Sequence, residues 1–245
     1  DGQLAKAALL VPNGGKHRAI NRALQAARGE LFFIVDSDDR LPAGALGAIA
    51  RAAPEALGDP ECCGIMGLKA TFDGKVIGER LPAGLAFSDA LALTYRYGVR
   101  GDKAEVLKTG LLRRFPFPEI EGERFLTENV VWYRIARAGY GYRLSNEILY
   151  EAEYQPDGLS ARSVELRARN PEGSLLYYRE LLEGGLSLAA GLREAANYDR
   201  FALLSGRFGR ALAELSPRAR RLARLAAPLG WVASLRDRLG LRGRA

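Results

Sequence analysis

The stretch Gly29-Glu30-Leu31-Phe32-Phe33-Ile34-Val35-Asp36-Ser37-Asp38-Asp39-Arg40 decides how the rest of the chain is interpreted. Its five consecutive apolar residues, 31–35, predict a short strand buried on both faces. Three carboxylates follow within four positions, and their repulsion costs roughly 1 kcal/mol per pair at 4 Å in water. Because ligands of open α/β sheets gather at the carboxyl ends of strands, the cluster favours a divalent cation with a phosphate-bearing ligand. A solvated Asp/Ser turn is the alternative.

The composition is that of a globular protein without zinc or disulfides. The chain has 245 residues, of which 48% are hydrophobic and 27% charged, enough for one large α/β domain with an appendage. Cys62 and Cys63 are adjacent in an apolar run, which predicts buried thiols in a reducing compartment. One histidine and no spaced cysteines argue against zinc, whereas an oxygen-ligand metal, Mg²⁺ or Mn²⁺, remains open. No apolar run is long enough to span a bilayer.

The net charge of +7 is unevenly distributed. Residues 201–245 contain ten arginines and two acids, so the other 200 residues are close to neutral. A nearly neutral body argues against nucleic acid as a partner, because a surface that follows phosphates needs positive charge. The basic tail needs a separate explanation.

Alternating strand and helix patterns predict an α/β domain over residues 1–170, with a mixed sheet flanked by helices. From Pro171 only helical patterns follow, so residues 171–245 are predicted as a helical C-terminal appendage. Helices are predicted at 16–28, 42–54, 88–97 and 125–138, and strands at 31–35, 140–144 and 148–154. Residues 4–11 are predicted as a short strand or an extended entry, and 62–72 with 75–78 as a hairpin around Asp73-Gly74.

Several motifs together point to one family. Asn13-Gly14-Gly15-Lys16-His17-Arg18-Ala19-Ile20-Asn21, followed by the strand and Asp36-Ser37-Asp38-Asp39, resembles family 2 glycosyltransferases of the GT-A fold. The later landmarks of that family are matched by Gly101-Asp102-Lys103, Phe117-Pro118-Glu119, Thr127-Glu128-Asn129 and Trp132. The resemblance covers about residues 10–180 and implies a GT-A-like (Rossmann-like) fold.

The resemblance implies a nucleotide-sugar donor, a UDP-sugar, and a glycan or lipid-linked acceptor in cell-surface polysaccharide synthesis. It implies that Asp36 lies near the ribose and that Asp38 ligates Mg²⁺ or Mn²⁺. Asp39 is implied to contact the donor sugar or to support the metal ligand. A metal at the diphosphate would stabilise the leaving anion.

The loop that opens the first helix is a candidate anion site. Free N–H groups at a helix N-terminus attract phosphate, and Asn13 and Lys16 would contact the nucleotide there. The alternative is that Asn13 only caps the helix and Lys16 lies on a solvated face. Asn21 is expected to tie the helix to a neighbouring loop. Asp102 and Lys103 would hold the acceptor loop or contact phosphate, or form an ordinary ion pair.

An inverting transfer needs a general base for the acceptor hydroxyl. Family members commonly place an Asp at the position of Asn129, and an amide cannot act as a base. We therefore predict that Glu128 is the general base, and Glu123 is the second candidate. The alternative for Glu128 is a first-turn helix acid favoured by the helix dipole.

The family normally opens with a strand and an Asp-Asp-Gly-Ser element, which is not visible before Asn13. The expectation is therefore an N-terminally truncated copy of the domain, with uncertain activity. Two rivals stay open. Val35-Asp36-Ser37-Asp38 also resembles the nucleophile motif of HAD-like phosphohydrolases, and a non-catalytic relic or binding module would fit Asn129.

The basic tail predicts contact with a membrane surface. Arginines alternate with leucine and alanine as in an interfacial amphipathic helix, at Arg207, Arg210, Arg218, Arg220, Arg221 and Arg224. A solvated helical face packed on the body is the alternative. The expected location is the cytoplasm, peripheral on the inner face of the cell membrane.

Overall fold

A computed structural model describes residues 7–153 and 163–242, with side chains up to residue 240. The described residues form five strands and ten helices. The strands are β1 (Leu31–Phe33), β2 (Cys62–Ala70), β3 (Phe87–Ser88), β4 (Lys103–Lys108) and β5 (Gly141–Glu151). The helices are α1 (Lys16–Ala26), α2 (Ala45–Gly58), α3 (Ala90–Tyr95), α4 (Thr109–Leu112), α5 (Asn129–Arg137), α6 (Ser163–Arg169), α7 (Pro171–Glu183), α8 (Leu188–Leu204), α9 (Phe208–Ala213) and α10 (Pro217–Arg242).

The strands form one mixed sheet in the order β1-β4-β2-β5-β3. β2 and β5 run parallel, and the other neighbouring pairs are antiparallel. Helices flank this sheet, and the described residues after 163 are helical apart from short connections. The predicted fold class, a mixed sheet flanked by helices with a helical C-terminal region, is confirmed. The domain division at residue 170 stays a prediction.

Side-chain alternation along β2 divides the core between the two faces of the sheet. Cys62 and Ile65 pack with Ile49 of α2 on one face. Cys63 and Met66 pack in the larger cluster on the other face, which also contains apolar residues of α1, α5, α7 and α8. Both cysteines are buried free thiols, as predicted. The two members of each pair are three residues apart rather than two, because the regular alternation of β2 is interrupted by a register shift between Cys62 and Gly64.

The prediction for the first strand was partly wrong. β1 ends at Phe33, pairs only with β4 and lies at an edge of the sheet, so its residues are half-buried. Five apolar residues in a row fit a central strand, but an edge strand needs fewer buried positions. Ile34 and Val35 have no strand pairing, and the carboxylate turn that follows them reaches β5, where Arg40 forms an antiparallel bridge with Glu151.

Other predicted boundaries also shift. α2 begins at Ala45 and continues through Pro54, where the sequence pattern had placed its end. The Asp73-Gly74 turn forms, with Gly74 N–H donating to Thr71 O at 2.8 Å. The return segment pairs back through the bridge Ala70–Val76 and the bond from Ile77 N–H to Lys69 O at 2.9 Å, but it is too short to count as a strand. The two strands predicted at 140–144 and 148–154 are one strand, β5, whose register against β2 shifts at several points.

Parts of some predictions lie outside the described residues, namely positions 4–6, Tyr154 and the end of the tail at 243–245. Residues 7–11 have no regular structure where a strand or extended entry was predicted. Among the described helices, none is both long and apolar enough to cross a bilayer.

Candidate active site

A cleft of about 800 Å³ opens where the N-terminus of α1, the end of β1 and the segment 124–129 meet. Most of the predicted site residues line it, although they are far apart in sequence: Asn13, Lys16, Asp36, Asp102, Lys103 and Glu128. Asp38 and Asp39 do not line it. The fold therefore brings the early and late motifs into one cavity.

Lys16 lies at the centre of the charged groups of this cleft. Its Nζ is 2.8 Å from Oδ2 of Asp36 and 3.0 Å from Oε1 of Glu128. Burial disfavours the ammonium form, but the charges of Glu128 and Asp36 outweigh burial and raise the pKa of Lys16. The first-turn lysine of α1 thus joins the end of β1 to the start of α5. Lys16 is thus ion-paired to both carboxylates, while its side chain remains 38% exposed to solvent.

Tyr150 fixes the turn that follows β1. The backbone N–H of Asp36 donates to Tyr150 Oη at 2.9 Å, and the Tyr150 hydroxyl donates to Asp39 Oδ2 at 2.6 Å. Burial and the bond to Asp39 raise the pKa of Tyr150, so it stays neutral. The Asp39 carboxylate therefore stabilises the turn. Its hydrogen bond to Tyr150 connects it to the cleft, which Tyr150 lines.

The residues present offer limited support for a metal. Within residues 7–153 and 163–242, no group of three or more His, Cys, Asp or Glu side chains is arranged to hold a metal ion. Asp36 is paired with Lys16, and Asp39 accepts from Tyr150. Asp38 is exposed and has no hydrogen bond or ion pair within the described residues. Mg²⁺ commonly takes one or two carboxylates plus phosphate oxygens, so Asp38 would supply a single ligand from outside the lining of the cleft.

The N-terminus of α1 is held by close backbone contacts. Gly15 has φ +99°, and a Cβ there would lie 2.0 Å from the carbonyl oxygen of Arg124. Asn13 Oδ1 accepts from Gly15 N–H at 3.3 Å, while the helix has no side-chain cap. The guanidinium of Arg18 donates to the carbonyls of Gly14, Ile120 and Glu123. Arg18 therefore holds the 120–123 segment against the start of α1.

Asn21 ties α1 to the loop before α5, as predicted. Its amide nitrogen donates to Phe117 O at 2.9 Å and its oxygen accepts from Phe117 N–H at 3.0 Å. The same amide nitrogen donates to Glu119 Oε1 at 2.8 Å. These bonds fix the segment that leads to Glu128.

Glu123, the second candidate for the general base, instead caps a helix. Its two carboxylate oxygens accept from the backbone N–H groups of Glu172 and Gly173, both at 2.7 Å, and so cap α7. It is buried and does not line the cleft. Asn170 accepts from the N–H groups of Arg124 and Phe125 beside it. The 123–128 segment is thus fixed by α7, which leaves Glu128 as the predicted base facing the cleft.

Asp102, directly before β4, and Lys103, the first residue of β4, line the cleft. Lys103 Nζ donates to the carbonyls of Arg100 and Gly101, both at 2.9 Å. Burial lowers the pKa of Lys103, while the charges of Glu105 and Asp102 oppose this. Lys103 therefore holds the 100–102 loop in position, and contact of this loop with an acceptor stays a prediction. Asp102 is exposed at the cleft.

Sequence reasoning missed three residues of the cleft, Lys69, Glu105 and Tyr150. Lys69 Nζ lies 4.2 Å from the ring centroid of Tyr150. Burial raises the pKa of Glu105 to about 7, with Lys69 opposing the shift and Asp102 and Glu128 adding to it. A signal was present, because Lys69 and Glu105 are charged residues inside otherwise apolar strand patterns. No local signal separates Tyr150 from the other aromatic residues of the chain.

Comparison with known families decides the class of this site. Residues 9–77 match the family described as Glycosyl transferase family 2. The chain contains a family 2 glycosyl transferase segment. Over this segment the match confirms the family and the enzyme class predicted from the sequence, and the phosphohydrolase alternative is set aside.

The glycosyl transferase segment supplies one side of the cleft. It includes Asn13, Lys16 and the carboxylates of 36–39, whereas Asp102, Lys103 and Glu128 lie beyond it. Their presence in the same cleft is a result of the tertiary fold.

Two crystal structures of S. aureus TarS residues 1–349 are similar to this chain. The first has a TM-score of 0.46 at 15% identity and is matched over 95% of this chain and 73% of that one. The second, a complex with UDP-GlcNAc, has a TM-score of 0.48 at 17% identity, over 95% and 74%. No residue role is carried over from so distant a likeness. A comparison with curated proteins gave no match.

Proposed function

We propose that this chain transfers a sugar from a nucleotide-sugar donor, a UDP-sugar, to a glycan or lipid-linked acceptor with inversion at the anomeric carbon. The observation that carries the proposal is the pairing of Lys16 with both Asp36 and Glu128 in one cleft. It connects the part of the chain that matches the family to the predicted base. Cell-surface polysaccharide synthesis is the pathway class that we propose.

Glu128 is the proposed general base. As the acceptor hydroxyl oxygen bonds to the anomeric carbon, the bond from that carbon to the diphosphate oxygen breaks, and the nucleoside diphosphate leaves with the electron pair. The hydroxyl proton passes to the Glu128 carboxylate. Lys16 holds this carboxylate in place at 3.0 Å. Asn129, the next residue, has no carboxylate to offer.

Donor binding is proposed for the other side of the cleft. The free N–H groups of α1 and the Lys16 ammonium provide positive potential for the diphosphate, near Asn13. Asp36 is proposed to lie at the ribose and Asp39 to support it through Tyr150. Asp102 and the loop held by Lys103 are proposed to contact the acceptor.

A divalent metal, Mg²⁺ or Mn²⁺, is proposed at Asp38. When bound, such an ion would stabilise negative charge on the leaving diphosphate. Replacing Asp38 with Ala should abolish metal-dependent transfer, measured as release of nucleoside diphosphate with and without Mn²⁺. Unchanged metal dependence in this variant would show that the ion is held elsewhere.

Glu128→Gln tests the base directly. Loss of a general base typically costs about 10²–10⁴ in rate, and turnover should fall by that order. Nucleoside diphosphate binding, followed by calorimetry, should change little. Glu121→Gln is the matched control, because Glu121 is an exposed acid of the same segment outside the cleft. Equal turnover in the two variants would exclude Glu128 as the base.

The rival that remains is a non-catalytic binding module. Titration of UDP in the presence of Mn²⁺ separates the cases. Binding together with transfer supports the proposal, binding without transfer to any acceptor supports the module, and no binding supports a relic. We propose the cytoplasm as the location because Cys62 and Cys63 are free thiols.

A further inference from the structure

Helix α10 turns its small residues toward the protein. Its buried positions recur every three or four residues and are Ala219, Ala223, Ala226, Gly230 and Ser234. At Gly230 a Cβ would lie 2.5 Å from Cβ of Asp199 and 2.9 Å from the carbonyl oxygen of Ala196. α10 therefore packs against α8 through a face with almost no side-chain bulk.

The large apolar residues of α10 face solvent instead. We call the residues Leu225, Leu229, Val232, Leu235 and Leu239 the α10 stripe. Leu225 and Leu239 are each 71% exposed, Leu229 65% and Val232 60%. Their spacing of three, four and seven residues places them on one side of the helix. Trp231, beside the stripe, is 55% exposed. A surface helix normally buries its large apolar residues, whereas α10 buries its small residues and exposes the large ones.

The charge around the stripe is almost purely positive. Residues 217–242 contain seven arginines and one acid, Asp237. That acid is engaged by Arg200 of α8, whose Nη2 lies 2.8 Å from Oδ1. Arg218, Arg224 and Arg236 are exposed and have no hydrogen bond or ion pair to any residue that the structure describes. The stripe thus has a cationic rim.

The structure changes which arginines of the tail are available. Arg207 pairs with Glu172 and Arg210 with Glu214. Arg220 donates to the carbonyls of Leu212, Ala213 and Leu215, each at 2.9 Å. These three belonged to the surface predicted from the sequence, and each is engaged by carboxylate or carbonyl groups of the protein itself, although Arg210 stays 71% exposed. The available surface lies further along the chain, on α10 itself.

We propose that the α10 stripe, with Arg218, Arg224 and Arg236 at its rim, binds the surface of an anionic lipid bilayer. Exposed apolar side chains enter the acyl boundary while arginines meet the negative headgroups, with the helix lying in the plane of the interface. Trp231 belongs to a residue type that is enriched at this depth. A second copy of the chain fits less well, because it would bring the same positive rim against itself. The proposal does not depend on the transfer reaction.

Vesicle flotation tests the surface with the full chain. We expect binding to phosphatidylcholine vesicles that contain phosphatidylglycerol, weak binding to phosphatidylcholine alone, and loss of binding in high salt. The triple variant Leu225→Ser, Leu229→Ser, Val232→Ser should lower the partition coefficient about tenfold or more, since these side chains carry the apolar contact. Arg218→Gln, Arg224→Gln, Arg236→Gln should lower it by a similar factor on anionic vesicles.

The controls use exposed residues elsewhere. Leu46→Ser with Leu188→Ser, and Arg22→Gln with Arg28→Gln and Arg80→Gln, should leave the partition coefficient unchanged. Trp231 emission should shift to the blue on binding, and Trp231→Phe should remove the shift because Trp132 is already buried. Equal binding by the serine variant and its control would overturn the proposal. So would a dimer that dissociates in the serine variant while no vesicle binding is detected.

Discussion

The Nζ atom of Lys16 lies 3.0 Å from Oε1 of Glu128, so the first turn of α1 and the residue before α5 form one charged unit. Asp36 completes it at 2.8 Å from the same ammonium. Without the ammonium, two carboxylates would share a partly buried site. The arrangement explains why a lysine is needed at the helix N-terminus.

Lys16→Met should lower turnover about tenfold, because the Glu128 carboxylate loses its fixed position and the diphosphate loses a nearby positive charge. A double-mutant cycle with Glu128→Gln should be strongly non-additive, since the two residues act as a pair. Turnover measured under saturating donor is the readout. Additive losses would mean that the two side chains work independently.

Tyr150→Phe should weaken nucleotide binding. The variant loses the hydroxyl that receives the Asp36 N–H and donates to Asp39, and we expect a stability cost of about 1–2 kcal/mol. Calorimetry should show a several-fold higher dissociation constant for UDP. Tyr140→Phe is the control, because the Tyr140 hydroxyl contacts only Arg114 among the described residues, away from the cleft.

Glu105 should make donor binding depend on pH. Its pKa of about 7 means that it is neutral below this pH and negative above it, so a diphosphate meets more repulsion as pH rises from 6 to 8. UDP affinity should fall over that window in the wild type. In Glu105→Gln the fall should be absent, while Glu121→Gln should behave as the wild type. A wild-type affinity that stays constant over this window would contradict the assignment.

Gly15 and Gly44 form a matched pair for backbone strain. Both have positive φ, +99° and +88°, but a Cβ at Gly44 would meet nothing within 4 Å. Gly44→Ala should cost about 1–2 kcal/mol of unfolding free energy from the left-handed conformation alone. Gly15→Ala adds a clash with the Arg124 carbonyl and should cost clearly more. Denaturant unfolding of both variants measures the difference, and equal costs would show that α1 can move away from Arg124.

Asp199 should make stability depend on pH. It is fully buried between α8 and α10, and burial alone raises its pKa to about 7. Because the folded pKa lies above the unfolded value of 3.8, the ionised form opposes folding, and the penalty grows from about pH 4 to pH 7. At most this amounts to about 4 kcal/mol.

Asp199→Asn should therefore flatten the stability profile between pH 4 and pH 8, measured by urea unfolding. Glu61→Gln, at an exposed acid, should keep the wild-type slope. An unchanged slope in the Asn variant would show that Asp199 acquires a partner or water in solution.

The sequence alone determined the class of fold and indicated the family, and most of the residues that it predicted for the site line one cleft. The helical spacing of apolar residues located α1, and the order of the short motifs indicated the family. Both could be recognised in the sequence because each is a local pattern. The structure alone decided which motif residues act together. That Lys16 bridges Asp36 and Glu128, that Glu123 caps α7 and that Tyr150 holds the turn all depend on contacts between distant positions.

The orientation of α10 shows the same division. Its sequence predicted a basic amphipathic helix, but which side faces water depends on the packing against α8. Only small residues fit beside Asp199 and Ala196, so the leucines of α10 are left outside. Likewise, β1 became an edge strand because β4 pairs on one of its sides and no described strand pairs on the other. Local patterns specify elements, and long-range packing specifies what those elements present to a ligand.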